Sequence, residues 1–174
     1  MNQYFSAINT YIQNTLNYAP DQILVADSHS QTMSVLEHAH IVKKYTISTS
    51  KYGIGNKENS FRTPRGIHSI VEKIGAGAPA GRIFRSRKDT GINWSPEMSE
   101  ENMILTRILR LKGLEPGVNS GKGIDSFERY IYIHGTNNEE LVGTPMSHGC
   151  ICMKNNDIIM LFDSVREGTI VFID

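Results

Sequence analysis

The stretch "SHGCIC", residues 147–152, holds the only two cysteines of the chain and joins two segments of different period. Upstream, "RYIYIHG" (129–135) alternates and is rich in β-branched and aromatic residues, which predicts a strand with His134 at its end. Downstream, "NNDIIMLFDSVREG" (155–168) sets Ile158, Ile159, Leu161, Phe162 and Val165 on one helical face. Asn155, Asn156 or Asp157 is available as its N-cap, and Gly168 as its stop. "TIVFID" (169–174) then predicts a closing strand. The C-terminal third therefore reads as strand, tight turn, helix, strand.

Working outward, "QILVADS" (22–28), "TMSVLEHA" (32–39) and "IVKKYTIST" (41–49) predict a meander of strands, and "IHSIVEKIG" (67–75) another. "SKYGIGNKENSFRTPRG" (50–66) is loop by its Gly, Asn, Ser and Pro content. Residues 76–102, "AGAPAGRIFRSRKDTGINWSPEMSEEN", predict a long polar loop, of the kind that serves as a flap over a site. "MILTRILRLKG" (103–113) fits a strand pair or a helix, and its apolar positions do not decide. In residues 1–20, Tyr4, Phe5, Ile8, Tyr11, Ile12, Thr15 and Leu16 recur at helical spacing, predicting an amphipathic helix stopped near Pro20 and docked on a single domain over 21–174. The expected class is mainly β with short helices.

Composition narrows the functions. The 174 residues are 39% hydrophobic and 21% charged, enough for one core without disulfide staples. Lys plus Arg and Asp plus Glu number 18 each, so no net field recruits nucleic acid or an anionic membrane. No apolar run reaches the roughly 20 residues of a membrane span. The first twenty residues carry no basic residue and Asn and Gln interrupt them throughout, unlike a secretory leader. The expectation is a cytoplasmic protein, or a periplasmic one if a leader has been removed. Two cysteines two positions apart form only a badly strained bridge, so free thiols in a reducing compartment are expected.

Three chemistries compete for "SHGCIC". Cys150 lies in a tight turn where Gly149 leaves the thiol unshielded and lets backbone N–H groups approach a carbonyl. A thiol becomes a nucleophile when an imidazole takes its proton, and His148 and His134 both qualify by sequence. Adjacent side chains point apart, whereas a histidine on a neighbouring strand can face the sulfur. A zinc site built from His134, His148, Cys150 and Cys152 has the right donors, but structural zinc knuckles space their cysteines by two to four residues. The plainest alternative is two small buried cysteines beside a structural histidine. "GRIFRSRK" gathers Arg82, Arg85 and Arg87 with Lys88, as a solvated face or an anion-binding rim. "GAGAPAG" (75–81) lacks the strand-to-helix context of a phosphate loop.

Taken together, "YIYIHGT" and "GTPMSHGCICMKNNDIIMLFDSVREGTIVFI" resemble the L,D-transpeptidase catalytic-domain family. The resemblance rests on His134–Gly135, a spacer, then Ser147–His148–Gly149–Cys150 and a hydrophobic Ile151. "TPRG" (63–66) and the opening strands extend it over roughly residues 21–174. It implies a β-sandwich-like domain with the thiol at a cleft between sheets, to which the periodicity adds the N-terminal helix and one helix after the cysteine. It further implies Cys150 as nucleophile, His134 as general base oriented by the Gly135 carbonyl, and Ser147 and His148 shaping the site. The N–H groups of Gly149 and Cys150 are implied for the oxyanion, and neither metal nor cofactor is implied. Cys152 departs from the pattern, standing where the family usually has arginine. The implied substrates are peptidoglycan stem peptides or muropeptides, with Arg82, Arg85 or Arg87 as candidate carboxylate partners. Cys150 would attack the L-centre carbonyl of diaminopimelate and expel D-alanine, leaving a thioester. Water as acceptor, the reading favoured for a chain expected in the cytoplasm, makes an L,D-carboxypeptidase of peptidoglycan recycling. An amine acceptor makes a transpeptidase. A non-catalytic binding module or zinc-stabilised domain is the alternative from another class.

Overall fold

Helix α1 (Gln3–Leu16) opens the computed structural model, which describes residues 3–98 and 102–174. Strands β1 (Gln22–Asp27), β2 (Thr32–Glu37), β3 (His40–Thr46), β4 (Gly66–Ile74), β5 (Arg82–Arg85), β6 (Lys88–Asn93), β7 (Ile104–Gly113), β8 (Tyr132–Gly135) and β9 (Ile151–Met153) follow. Helix α2 (Asn155–Ser164) and strand β10 (Ile170–Ile173) complete the chain. The strands form one sheet in the order β3-β2-β1-β10-β4-β7-β5-β6, with β8 on β7 and β9 on β8.

The period of two along the central strands divides the core. Leu24 and Ala26 of β1 and Val171 and Ile173 of β10 face inward, where they meet Ile133 of β8, Ile151 and Met153 of β9, and Leu161 and Phe162 of α2. Their alternates, Ile23, Val25 and Ile170, face outward, where Phe5, Ile8 and Ile12 of α1 cover them. A 14-residue helix is marginal alone, so α1 depends on this contact. Each of its fully buried side chains contributes about 1.5–3 kcal/mol. Tyr11, expected on the apolar face, is half exposed and instead donates its hydroxyl to Glu115. The result is the expected mainly β fold with one helix at each end, its two halves layered in sandwich fashion over one core.

Backbone pairing then closes the layers. Just past β3, Ser48 N–H donates to Cys152 O and Cys152 N–H to Ser48 O, both at 2.8 Å. Strand β9 is thus held between β8 and the continuation of β3, and the sheet returns on itself around the inner core. Opposite, Lys73 of β4 donates to the carbonyls of Phe162 (2.6 Å) and Val165 (2.5 Å), satisfying the C-terminal end of α2 where a cation suits the helix dipole.

Three expectations change. "MILTRILRLKG" forms one ten-residue strand, β7, paired along both edges, and its near-continuous burial on both faces hid its period. Residues 76–102 are not a structureless loop: they contain the β5–β6 hairpin, which docks on β7 through Ile83–Leu105 and Phe84–Ile104. Its two-residue turn is Ser86–Arg87, both at positive φ (47° and 66°), without the Asn or Gly that announces such a turn. Residues 99–101 of that segment lie outside the described ones. The N-cap of α2 is Lys154 with no side-chain bond, and none of Asn155, Asn156 or Asp157 caps it. The cap is supplied from outside, by Glu139 Oε1 accepting the Asn155 N–H at 2.5 Å.

His68 offers a test of the buried polar core. Its Nδ1 meets Gly66 O (3.0 Å) and its Nε2 meets Ser126 Oγ (2.9 Å), with no exposure. Burial lowers its pKa from 6.5 to about 4. Between those values the unfolded chain binds a proton that the folded one refuses, so this stability is complete above pH 6.5 and is lost as pH falls toward 4. The melting temperature is expected to drop over that interval. In His68→Gln it should start lower at pH 7 and fall less steeply, as calorimetry across the pH series would show.

Candidate active site

Strands β8 and β9 run parallel with Ile133 opposite Ile151 and His134 opposite Cys152. Since Ile133 and Ile151 point into the core, Tyr132, His134, Cys150 and Cys152 share the other face. Cys150 precedes β9 in the turn 147–150, half-buried against the cluster of Phe84, Ile108 and Tyr132. The turn is held from both sides: Ser147 N–H donates to Thr49 O (3.1 Å) and Lys51 N–H to Ser147 O (3.1 Å). Ser147 Oγ donates to Cys150 O at 2.5 Å and accepts the Gly149 N–H at 3.2 Å. Gly149 stands at φ 128°, which a side chain would strain.

The two histidines are separated by this geometry. His134 is buried, and its Nδ1 lies 2.7 Å from Gly135 O. A carbonyl can only accept, so Nδ1 carries the proton and Nε2 presents a lone pair. That Nε2 faces Cys152 Sγ at 3.8 Å, while Cys150 is the diagonal neighbour on the same face. His148 turns outward: its ring lies 5.6 Å from Tyr52 and 6.0 Å from Phe61, and its Nδ1 is 3.4 Å from Asn102 Nδ2. His148 therefore does not join His134 and the two thiols in the tetrahedron a zinc ion would require.

Electrostatics leave the resting thiol and imidazole neutral. Burial lowers the His134 pKa to about 4, against the pull of the Gly135 carbonyl. Burial raises that of Cys150 to about 11, opposed by the Tyr132 backbone and the Arg129 charge. Cys152, 1% exposed, is raised further still by burial and by Cys150.

Of the three arginines singled out, Arg87 is set by the hairpin against the tyrosines that flank Cys150. Arg87, at the tip, donates to Tyr132 Oη at 3.1 Å and stacks over Tyr130 at 5.2 Å. Arg82 is committed along the hairpin to Asp89 (2.9 Å) and Asn93 (2.8 Å), and Arg85 is exposed just before the turn. Sequence reasoning missed Tyr130, Tyr132 and Arg129, although "RYIYIHG" already placed both tyrosines on the face of His134. Arg129 donates to the carbonyls of Gly55, Asn56 and Arg62, tying the 50–66 loop beside the thiol. Between that loop and the turn opens a recess of about 210 Å³, lined by Glu58, Phe61, Glu128, Tyr130 and His148 among others. Phe61 and Tyr130 are 55% and 54% exposed, and both hold left-handed backbone, a conformation costly for aromatic residues.

The catalytic-domain model of the YkuD L,D-transpeptidases matches residues 21–173, which include every group just described. The chain belongs to that family. A putative L,D-transpeptidase of Bacillus subtilis, YqjB, is 48% identical over 52 residues, covering 30% of this chain and 28% of the relative. A probable L,D-transpeptidase of Escherichia coli, YbiS, is 35% identical over 122 residues, covering 64% and 40%. The chain thus spans well under half the length of these curated relatives. Among solved structures, an L,D-transpeptidase from Mycobacterium tuberculosis superposes with a TM-score of 0.55 at 17% identity, over 90% of this chain and 59% of that one. One from Enterococcus faecium gives 0.53 at 16%, over 89% and 50%. At such identities the structures attest the family's fold and nothing finer.

The neutral pair makes a prediction about reactivity. Iodoacetamide should label Cys150 ever faster as pH rises above 9, with no plateau near neutrality, and should spare Cys152 until the protein unfolds. Peptide mass spectrometry against pH reads both. A plateau between pH 6 and 8 would reveal a preformed thiolate–imidazolium pair and contradict the assignment of a neutral resting state.

Proposed function

We propose that this chain is a cysteine acyl-transfer enzyme acting on peptidoglycan stem peptides, and that water is its acceptor, which makes it an L,D-carboxypeptidase. What carries the reading is the convergence on one face of a half-exposed thiol, an imidazole whose tautomer leaves Nε2 free, and a guanidinium at the hairpin tip. Cys150 Sγ attacks the carbonyl of the L-centre of diaminopimelate as its proton passes to His134. The imidazolium returns the proton to the departing amine of D-alanine, leaving a thioester. Water, deprotonated by the same imidazole, then releases the tripeptide and restores the thiol. The Gly149 N–H is engaged within the turn, so the oxyanion role falls first to the N–H of Cys150. Arg87 takes a substrate carboxylate, a duty the thiol of Cys152 cannot perform.

The open recess beside Cys150 supports hydrolysis, since water at about 55 M intercepts a thioester unless a bound amine has a high effective molarity. One observation favours transfer: Glu58 and Glu128 line that recess and suit an ammonium group. A cytoplasmic place in wall-peptide recycling is the companion proposal.

The deciding experiment incubates a defined tetrapeptide with and without excess acceptor amine, read by mass spectrometry. Tripeptide and D-alanine should dominate both mixtures, and a dominant cross-linked or exchanged product would establish transfer. Cys150→Ala is expected to abolish turnover, His134→Gln to slow it about 10²- to 10⁴-fold, and Arg87→Ala to raise KM while Arg82→Ala does not.

A further inference from the structure

Behind the base lies a buried polar network that the reaction does not touch. Strand β7 carries a bulge opposite β8: Leu105 pairs with Gly135 and Ile108 with His134, leaving Thr106 and Arg107 in excess. Thr106 stands at φ 74°, a left-handed conformation that a β-branched residue adopts only under strain, and it is fully buried. Its hydroxyl accepts the Gly81 N–H at 2.9 Å and donates to Asn155 Oδ1 at 2.5 Å. The Asn155 amide donates to Thr136 O and to Glu139 Oε1, both at 2.9 Å.

This network encloses the backbone of Gly135. A Cβ there would sit 2.4 Å from Asn155 Oδ1, 2.7 Å from Leu105 O and 3.1 Å from Thr106 Cβ, so the peptide is packed on that side. The carbonyl of the same residue receives His134 Nδ1. We propose that Thr106 and Asn155 are positioning residues for His134: together they fix the Gly135 carbonyl, and with it the tautomer and aim of the imidazole. The strain at Thr106 has an account on this basis. A bulged residue with normal φ would aim its hydroxyl elsewhere, and Asn155 would lose the partner that presents its amide to Thr136. Bulges commonly re-aim side chains beside active sites.

The inference rests on His134 being the base, so the test separates the two claims. The readouts are kcat against pH on the tetrapeptide and the imidazole nitrogen chemical shifts of His134, which report its tautomer without catalysis. Thr106→Gly removes the hydroxyl while making φ 74° unstrained, so it should melt near wild type. Its kcat should fall about 10- to 100-fold, as when outer-shell supports of a functional histidine are lost, with KM little changed. The imidazole inflection should move and the nitrogen shifts should show mixed tautomers, and Thr106→Ser should restore both. Full kcat with an unmoved inflection and a single tautomer in Thr106→Gly would overturn the proposal. If Thr106→Gly does not fold, Asn155→Ala, which keeps the Glu139 cap on its own N–H, decides by the same readouts. If His134→Gln keeps the inflection, the base assignment fails instead. The nitrogen shifts would still show whether Thr106 sets the tautomer.

Discussion

Everything that surrounds the thiol depends on two reciprocal backbone hydrogen bonds between Ser48 and Cys152. Strand β9 has only three residues, too few to hold its register alone. Clamped between β8 on one edge and the Ser48 segment on the other, it has no freedom to slip. A slip of one residue would send Cys150 into the core and Ile151 to the surface. The same pairing fixes which residues lie beside His134. Cys150 is placed by Ser147 Oγ and by a turn suspended between an immobilised strand and Thr49.

The site is accordingly built from elements distant in sequence. Cys150 and His134 come from adjacent strands, Arg87 from a hairpin anchored to β7, and Arg129 from the loop before β8. Thr106 reaches Asn155 across 49 positions. Local chain stiffness contributes little, and nearly every functional side chain is placed by long-range pairing. Burial favours the neutral form of both Cys150 and His134.

This dispersal explains what the sequence disclosed. The strand ending near His134, the turn "SHGC" and the helix after it were legible because each is local, although β8 begins only at Tyr132 and α2 stops at Ser164, short of Gly168. That His134 rather than His148 turns toward the thiols was legible too, since alternation and the crowding of adjacent residues are both local arguments. The β5–β6 hairpin was not legible: its turn is Ser86–Arg87, its second strand is polar, and only docking on β7 makes it a strand. β7 itself was ambiguous because burial on both faces erases the alternation that marks a strand. Singling out Arg87 over Arg82 and Arg85 needed the hairpin, and the cap of α2 needed Glu139, sixteen residues away. Cys152 departs from the pattern the resemblance supplies, and only the register shows that it lies directly against His134.

The parallel pairing of β1 with β10 also bears on how the chain is made. β10 fills the slot between β1 and β4, so strands completed early must wait with open edges for a partner near the other end of the sequence. At 5–20 residues per second the interval during synthesis is on the order of ten seconds. Over that time Ile23, Val25 and Ile67 have a helix to shelter under but no finished sheet. Until β10 is inserted, β1 and β4 each keep an unpaired edge, so closing the sheet is a non-local step that leaves strand edges open to pairing with other chains.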